Sequence, residues 1–152
     1  MRKIIGIAVL FLIYIGLIFS FIVSREGVDQ TYLLPSGFEG CVVIYYDAQD
    51  ALPLKIENNE IVYRVPKSGV IYTSSPYDFG WISEEGSGSA QIRAFYVDQQ
   101  GEVIEELPQE KIRFGALGGR GDGKYAKYYY YQIFGSKEME DKGCHELVEM
   151  GL

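Results

Sequence analysis

One run of the chain limits its possible folds more than any other: residues 4–23, twenty in succession without a charged side chain. A helix rises 1.5 Å per residue, so such a run covers about 30 Å, the hydrocarbon thickness of a bilayer. It has no polar face, which a helix lying on a globular core would need. Arg2 and Lys3 stand directly before it, and the positive-inside bias then keeps the N-terminus cytoplasmic and sends everything after Val23 outside. The expectation is a single-pass anchor in the cell membrane carrying an extracytoplasmic domain. A cleaved signal peptide and a secreted product are the alternative. Signal cores, however, are about 7–15 residues long and end at a small-x-small site, which neither Ile18-Phe19-Ser20 nor Ile22-Val23-Ser24 supplies. No cysteine follows the run closely enough to accept a lipid. The expected division is 1–24 anchor or signal segment, 25–30 linker, 31–145 folded domain and 146–152 tail.

The chain has 14 basic and 21 acidic residues, and two of the basic ones, Arg2 and Lys3, precede the anchor, which leaves the exported part at −9. That sign excludes a grip on a phosphate backbone, so no nucleic acid is expected as partner. From residue 31 the sequence becomes short β-type runs separated by turn residues: 41–46, 52–57, 60–66, 70–74, 90–98, 102–107, 111–115 and 125–134. Eight such runs predict an all-β domain. Ile61, Tyr63 and Val65 alternate with Glu60, Val62 and Arg64, and Ile112 and Phe114 with Lys111 and Arg113, as in strands with one buried face. Asn58-Asn59 and Gln99-Gln100-Gly101 read as tight hairpin connections, so antiparallel neighbours should dominate. With no helix of adequate length between residues 31 and 135 to cover a single sheet, the expected architecture is an immunoglobulin-like or transthyretin-like β-sandwich. Four glycines among residues 116–124 predict a mobile loop, within which Arg120-Gly121-Asp122 spells the integrin-recognition tripeptide. A glycine-rich tip favours those three residues on conformational grounds alone. Ser136-Lys137-Glu138-Met139 and the acids after it predict one helical turn before Gly143.

Four stretches carry a resemblance: Tyr32-Leu33-Leu34-Pro35-Ser36-Gly37-Phe38-Glu39-Gly40-Cys41-Val42-Val43-Ile44-Tyr45-Tyr46-Asp47, Val65-Pro66-Lys67-Ser68-Gly69-Val70, Thr73-Ser74-Ser75-Pro76 and Tyr129-Tyr130-Tyr131-Gln132-Ile133-Phe134-Gly135. Together, over residues 31 to about 145, they resemble a family of small extracytoplasmic bacterial domains of unknown function, frequent in Bacillus-like organisms. The resemblance implies a secreted or membrane-anchored β domain and brings no catalytic residues with it. The opening stretch is also similar to the first strand of carboxypeptidase-regulatory or transthyretin-like sandwiches, an analogy of fold alone.

Cys41 and Cys144, the two cysteines, both follow the anchor and so lie in a compartment where disulfides persist; a bridge between them is the simplest account. Cys144-His145 invites a thiol–imidazole pair, but neighbouring residues point apart, and a lone histidine falls short of a zinc site. Asp47, Asp50 and Asp78 are loop carboxylates of the kind that bind calcium only when several oxygens converge. With no serine elbow, phosphate loop or metal-binding repeat, neither catalytic residue nor cofactor is expected. Twelve of thirteen tyrosines lie outside the anchor, four in succession at 128–131. In a strand these alternate faces, one pair entering the core. The expected recognition surface is an aromatic strip of Tyr77, Phe79, Trp81, Tyr128 and Tyr130, facing an envelope protein or glycan. Two readings follow: a non-catalytic binding or envelope-associated module, and a cell-wall or glycan hydrolase using paired acids such as Asp47 and Glu85.

Overall fold

The computed structural model describes residues 27–84, 86–123 and 126–150; the expected anchor at residues 4–23 and Glu85 lie outside these. Among the described residues no helix is long and apolar enough to cross a membrane. Two mixed sheets face one another, confirming the all-β reading. The first contains β1 (Asp29–Pro35), β3 (Ile56–Glu57), β4 (Glu60–Arg64), β6 (Ile92–Val97) and β7 (Val103–Glu106) in the order β3-β4-β1-β6-β7. The second contains β2 (Gly40–Tyr45), β5 (Val70–Tyr72), β8 (Ile112–Arg120) and β9 (Lys127–Phe134) in the order β5-β2-β9-β8. Two short helices, α1 (Lys137–Lys142) and α2 (His145–Met150), follow the last strand.

The core is what alternation requires. Tyr32 and Leu34 from β1, Ile61 and Tyr63 from β4 and Ala94 from β6 meet Val42 and Ile44 from β2 and Phe134 from β9 between the sheets. The Tyr32 ring stacks on Tyr63 at 4.8 Å and tilts against Phe134 at 5.0 Å, joining the two layers. Asn58 and Asn59 turn between β3 and β4 with φ of 54° and 63°, the left-handed region that asparagine tolerates, and Gly101 turns between β6 and β7.

Four expectations need correction. Parallel pairing goes beyond the expected hairpins: among the described residues four of the seven strand pairs are antiparallel, but β1 runs parallel to both neighbours, β4 and β6, and β2 runs parallel to β5. β1 itself, the middle strand of its sheet, begins at Asp29 inside the stretch read as linker and is absent from the predicted strands. The predicted glycine-rich loop is, as far as Arg120, the second half of the edge strand β8. Gly118 pairs with Tyr129 and Gly119 with Tyr128, and a Cβ on Gly118 would collide with the Tyr129 ring, while one on Gly119 would come within 3.1 Å of Tyr128. Glycine is poor in strands because it offers nothing to pack; here the tyrosine rings of β9 occupy that empty space. A bulge between Ile112 and Gly115 also breaks the predicted alternation, since Ile112 packs on the core whereas Phe114 lies outside against Tyr131, rings 6.0 Å apart.

Candidate functional site

The four tyrosines of β9 divide by parity. Tyr129 and Tyr131 lie on the outer face of the second sheet, Tyr129 against Tyr45 and Tyr131 against Phe114. Tyr128 and Tyr130 point to the inner side together with Gln132 and Phe134. They meet the segment carrying Tyr77, Phe79 and Trp81, which buried hydroxyls hold in place. Thr73 Oγ1 donates to the Leu52 carbonyl at 3.0 Å, and Leu54 N–H donates to Ser75 Oγ at 2.8 Å. From Pro76 two successive turns follow, Phe79 N–H to the Pro76 carbonyl at 3.1 Å and Trp81 N–H to the Asp78 carbonyl at 3.0 Å. Gly80 (φ 81°) makes the second turn possible, and a Cβ there would sit 3.1 Å from Ile61. The Tyr77 ring stacks on Tyr128 at 4.1 Å and meets the Trp81 indole edge-on at 5.6 Å.

The structure brings four of the five nominated aromatic residues, Tyr77, Phe79, Trp81 and Tyr130, together as walls of a cleft between the sheets and not as a strip on an open sheet face, while Tyr128 backs Tyr77 without lining the cleft. The cleft has a volume of about 260 Å³. Ile61, Tyr63 and Tyr46 line its buried depth, Tyr77, Phe79, Trp81 and Tyr130 its walls, and Gln30 supplies an amide. None of the described residues lining it carries a charge. Tyr46, Tyr63 and Gln30 were not singled out in the sequence; the parity of Ile61-Tyr63-Val65 is the signal that puts Tyr63 inside, while nothing local marks Tyr46.

Phenol chemistry at the base of the cleft is that of uncharged donors and acceptors. Burial pushes the hydroxyls of Tyr32, Tyr46 and Tyr63 well above the ordinary tyrosine range, and the charge a neighbouring phenolate would carry, Tyr130 for all three, raises them further. Burial raises Tyr130 too. Its hydroxyl donates to Gln132 Oε1 at 2.9 Å, and Gln132 Nε2 donates to the Arg113 carbonyl at 2.6 Å, so the buried amide is satisfied at both ends. Rings that present π-faces, phenols and an amide, without a fixed charge, suit a neutral ligand with apolar faces and hydroxyl edges.

Cys41 and Cys144 form the expected disulfide, Cα atoms 5.6 Å apart, which leaves no thiol for a pairing with His145. The His145 imidazole lies on the surface, 3.3 Å from Glu149. Beneath the bridge, α1 and α2 cover the outer end of β2, where the Tyr45 hydroxyl donates to the Leu147 carbonyl at 2.7 Å. Asp47 and Asp50 sit exposed in left-handed turn positions after β2, and neither they nor Asp78 line the aromatic cleft. Among the described residues no three His, Cys, Asp or Glu side chains converge as a metal site would require. Two further grooves, one beside the disulfide and one between Pro35 and Ile104, bring together no comparable set of rings.

No curated protein matches the sequence. The fold is similar to that of a crystal structure of a candidate lipoprotein from Bacillus anthracis, with a TM-score of 0.57 over 72% of this chain and 71% of that one, at 18% identity. At that identity the likeness speaks to the fold alone. Sequence reaches further than shape here, because the profile of the family of unknown function DUF6843 matches residues 26–146, from the approach to β1 to the start of α2, and the chain belongs to that family.

Proposed function

We propose that the protein is a membrane-anchored, extracytoplasmic, non-catalytic binding domain whose ligand site is the aromatic cleft, and that the ligand is a neutral saccharide unit of envelope material. The observation that carries the reading is the composition of the cleft: rings from four separate segments of chain, at Tyr46, Tyr63, Tyr77 to Trp81 and Tyr130, converge beside the Gln30 amide with no charged side chain among the described lining residues. Stacked rings supply sugar-sized apolar faces, and Tyr46, Tyr63, Tyr130 and Gln30 supply the hydrogen bonds that hydroxyl edges need. Anchoring rests on the twenty uncharged residues behind Arg2 and Lys3, and a retained helix remains the reading for this chain because no lipid-accepting cysteine follows them. The candidate lipoprotein of similar fold supports an envelope setting. Hydrolysis would need two carboxylates about 5–10 Å apart at the bound sugar; Asp47 does not line the cleft, which favours binding over cleavage.

Trp81 is the sole tryptophan of the chain, so its emission reports on this site alone. Full-length protein in detergent, titrated with glucose, N-acetylglucosamine and their neutral disaccharides, should show a saturable change in emission with at least one of them. Tyr77→Ala should fold and abolish that change. Emission indifferent to every sugar at millimolar concentration would overturn the reading.

A further inference from the structure

We infer that the mouth of the aromatic cleft rests on the surface of the membrane that anchors the chain, the partner being the interfacial layer of a zwitterionic bilayer. The inference depends on the anchoring reading above and adds an orientation to it. Its first support is the place where the chain enters the fold. Gly27 is buried, and its N–H donates to the Ser89 carbonyl at 2.6 Å, on the loop that continues from Trp81; Val28 is itself a portion of the cleft wall. Between Val23, the last residue of the apolar run, and Gly27 there are four steps of chain, which span at most about 14 Å even when fully extended. The cleft is therefore held within a short distance of the headgroups, and the tether enters the domain on the side of Trp81, Ser87 and Ala90.

The second support is the chemistry of that side. Trp81 and Tyr77 are partly exposed, Ile82 is 37% exposed beside them, and Ser87 and Ala90 complete a rim that is uncharged among the described residues. Indole and phenol rings combine an apolar body with one polar tip, which is the reason such side chains concentrate at the boundary between headgroup and acyl chain. The exported part carries −9, and Asp78 and Glu84 are exposed close to the rim, so an anionic surface would repel this face while a zwitterionic one would not. A short tether beside this aromatic rim gives the domain one favoured side to lay down.

The sole tryptophan makes the test direct, since the apolar run contains none. Full-length protein is reconstituted into phosphatidylcholine vesicles whose acyl chains either are or are not brominated near the headgroup, bromine being a short-range quencher of indole. Flotation with the vesicles together with Trp81 emission clearly lower in the brominated than in the unbrominated lipid is the expected result for an indole seated among the headgroups. Flotation with identical emission in the two lipids overturns the docking while leaving anchoring and sugar binding standing. Failure to float overturns the anchoring reading and the docking together. Emission that ignores bromine but changes with protein density in the membrane assigns the face to a second copy of the chain, which also overturns the proposal. The sugar titration in detergent is read independently of all four outcomes.

Discussion

Raising the pH should unfold this domain through its buried phenols. The hydroxyls of Tyr32, Tyr46 and Tyr63 lie between the sheets, and burial holds each of them protonated far above the ordinary tyrosine value of 10.0. A group whose folded-state pKa is raised contributes stability that is complete below the unfolded value and is lost as pH climbs above it. Above about pH 10 the unfolded chain releases three protons that the folded one keeps, and each costs about 1.4 kcal/mol of stability per pH unit, roughly 4 kcal/mol per unit together. Against a total of about 5–15 kcal/mol for a domain of ordinary stability, the fold is exhausted within about one to four pH units above that threshold. The phenolate absorbance should then rise in two stages, exposed tyrosines first, followed by a cooperative step that coincides with loss of the far-ultraviolet circular dichroism. Tyr63→Phe should remove about a third of the alkaline slope by the same linkage. One reversible step near pH 10 for every tyrosine, with the dichroism intact, would refute the burial argument.

Gly118→Val in β8 should cost about 1–3 kcal/mol in urea denaturation, as overpacking does, because its side chain needs the space of the Tyr129 ring; combining it with Tyr129→Ala should recover some of that loss. The double substitution Cys41→Ser with Cys144→Ser opens a loop spanning 103 positions and should lower stability by up to about 4.7 kcal/mol on the chain-entropy estimate, read as a fall in the urea midpoint. Tyr130→Phe strips Gln132 Oε1, in a residue only 1% exposed, of its donor and should cost about 1–3 kcal/mol, checked by the same denaturation curves.

What the sequence revealed was local. Asparagine at 58 and 59 names its own turn, the 61-63-65 alternation names its own inward face, and two cysteines beyond the apolar run name each other. What it concealed depends on partners far along the chain. β1 reads as a linker plus a few apolar residues, since being flanked by two parallel strands leaves no trace in a neighbouring hairpin. The glycines of β8 look like a loop until the tyrosines of β9 are set opposite them, a pairing in which each sequence oddity accounts for the other. The bulge between Ile112 and Gly115 shifts the parity of that strand without any residue to announce it. The aromatic residues were legible as a group, but their arrangement as an enclosed cleft followed only from the parity of β9 and from the turns after Pro76.

The position of β1 has a mechanical consequence. A pull on the N-terminal end of the domain enters at the middle strand of the first sheet, along its own axis, against β4 and β6 running the same way on either side. Tension in that geometry loads the rungs of both ladders at once, where a hairpin pulled from its open end would come apart rung by rung. Under force, survival is set by the unfolding rate rather than by equilibrium stability. The disulfide then limits how far the chain can extend: with Cys41 bonded to Cys144, stretching between the two ends passes through the sulfur atoms and bypasses everything between them. A pulling measurement on oxidised protein should give a contour gain from the segments outside the bridge only, and reductant should release the remainder of the chain.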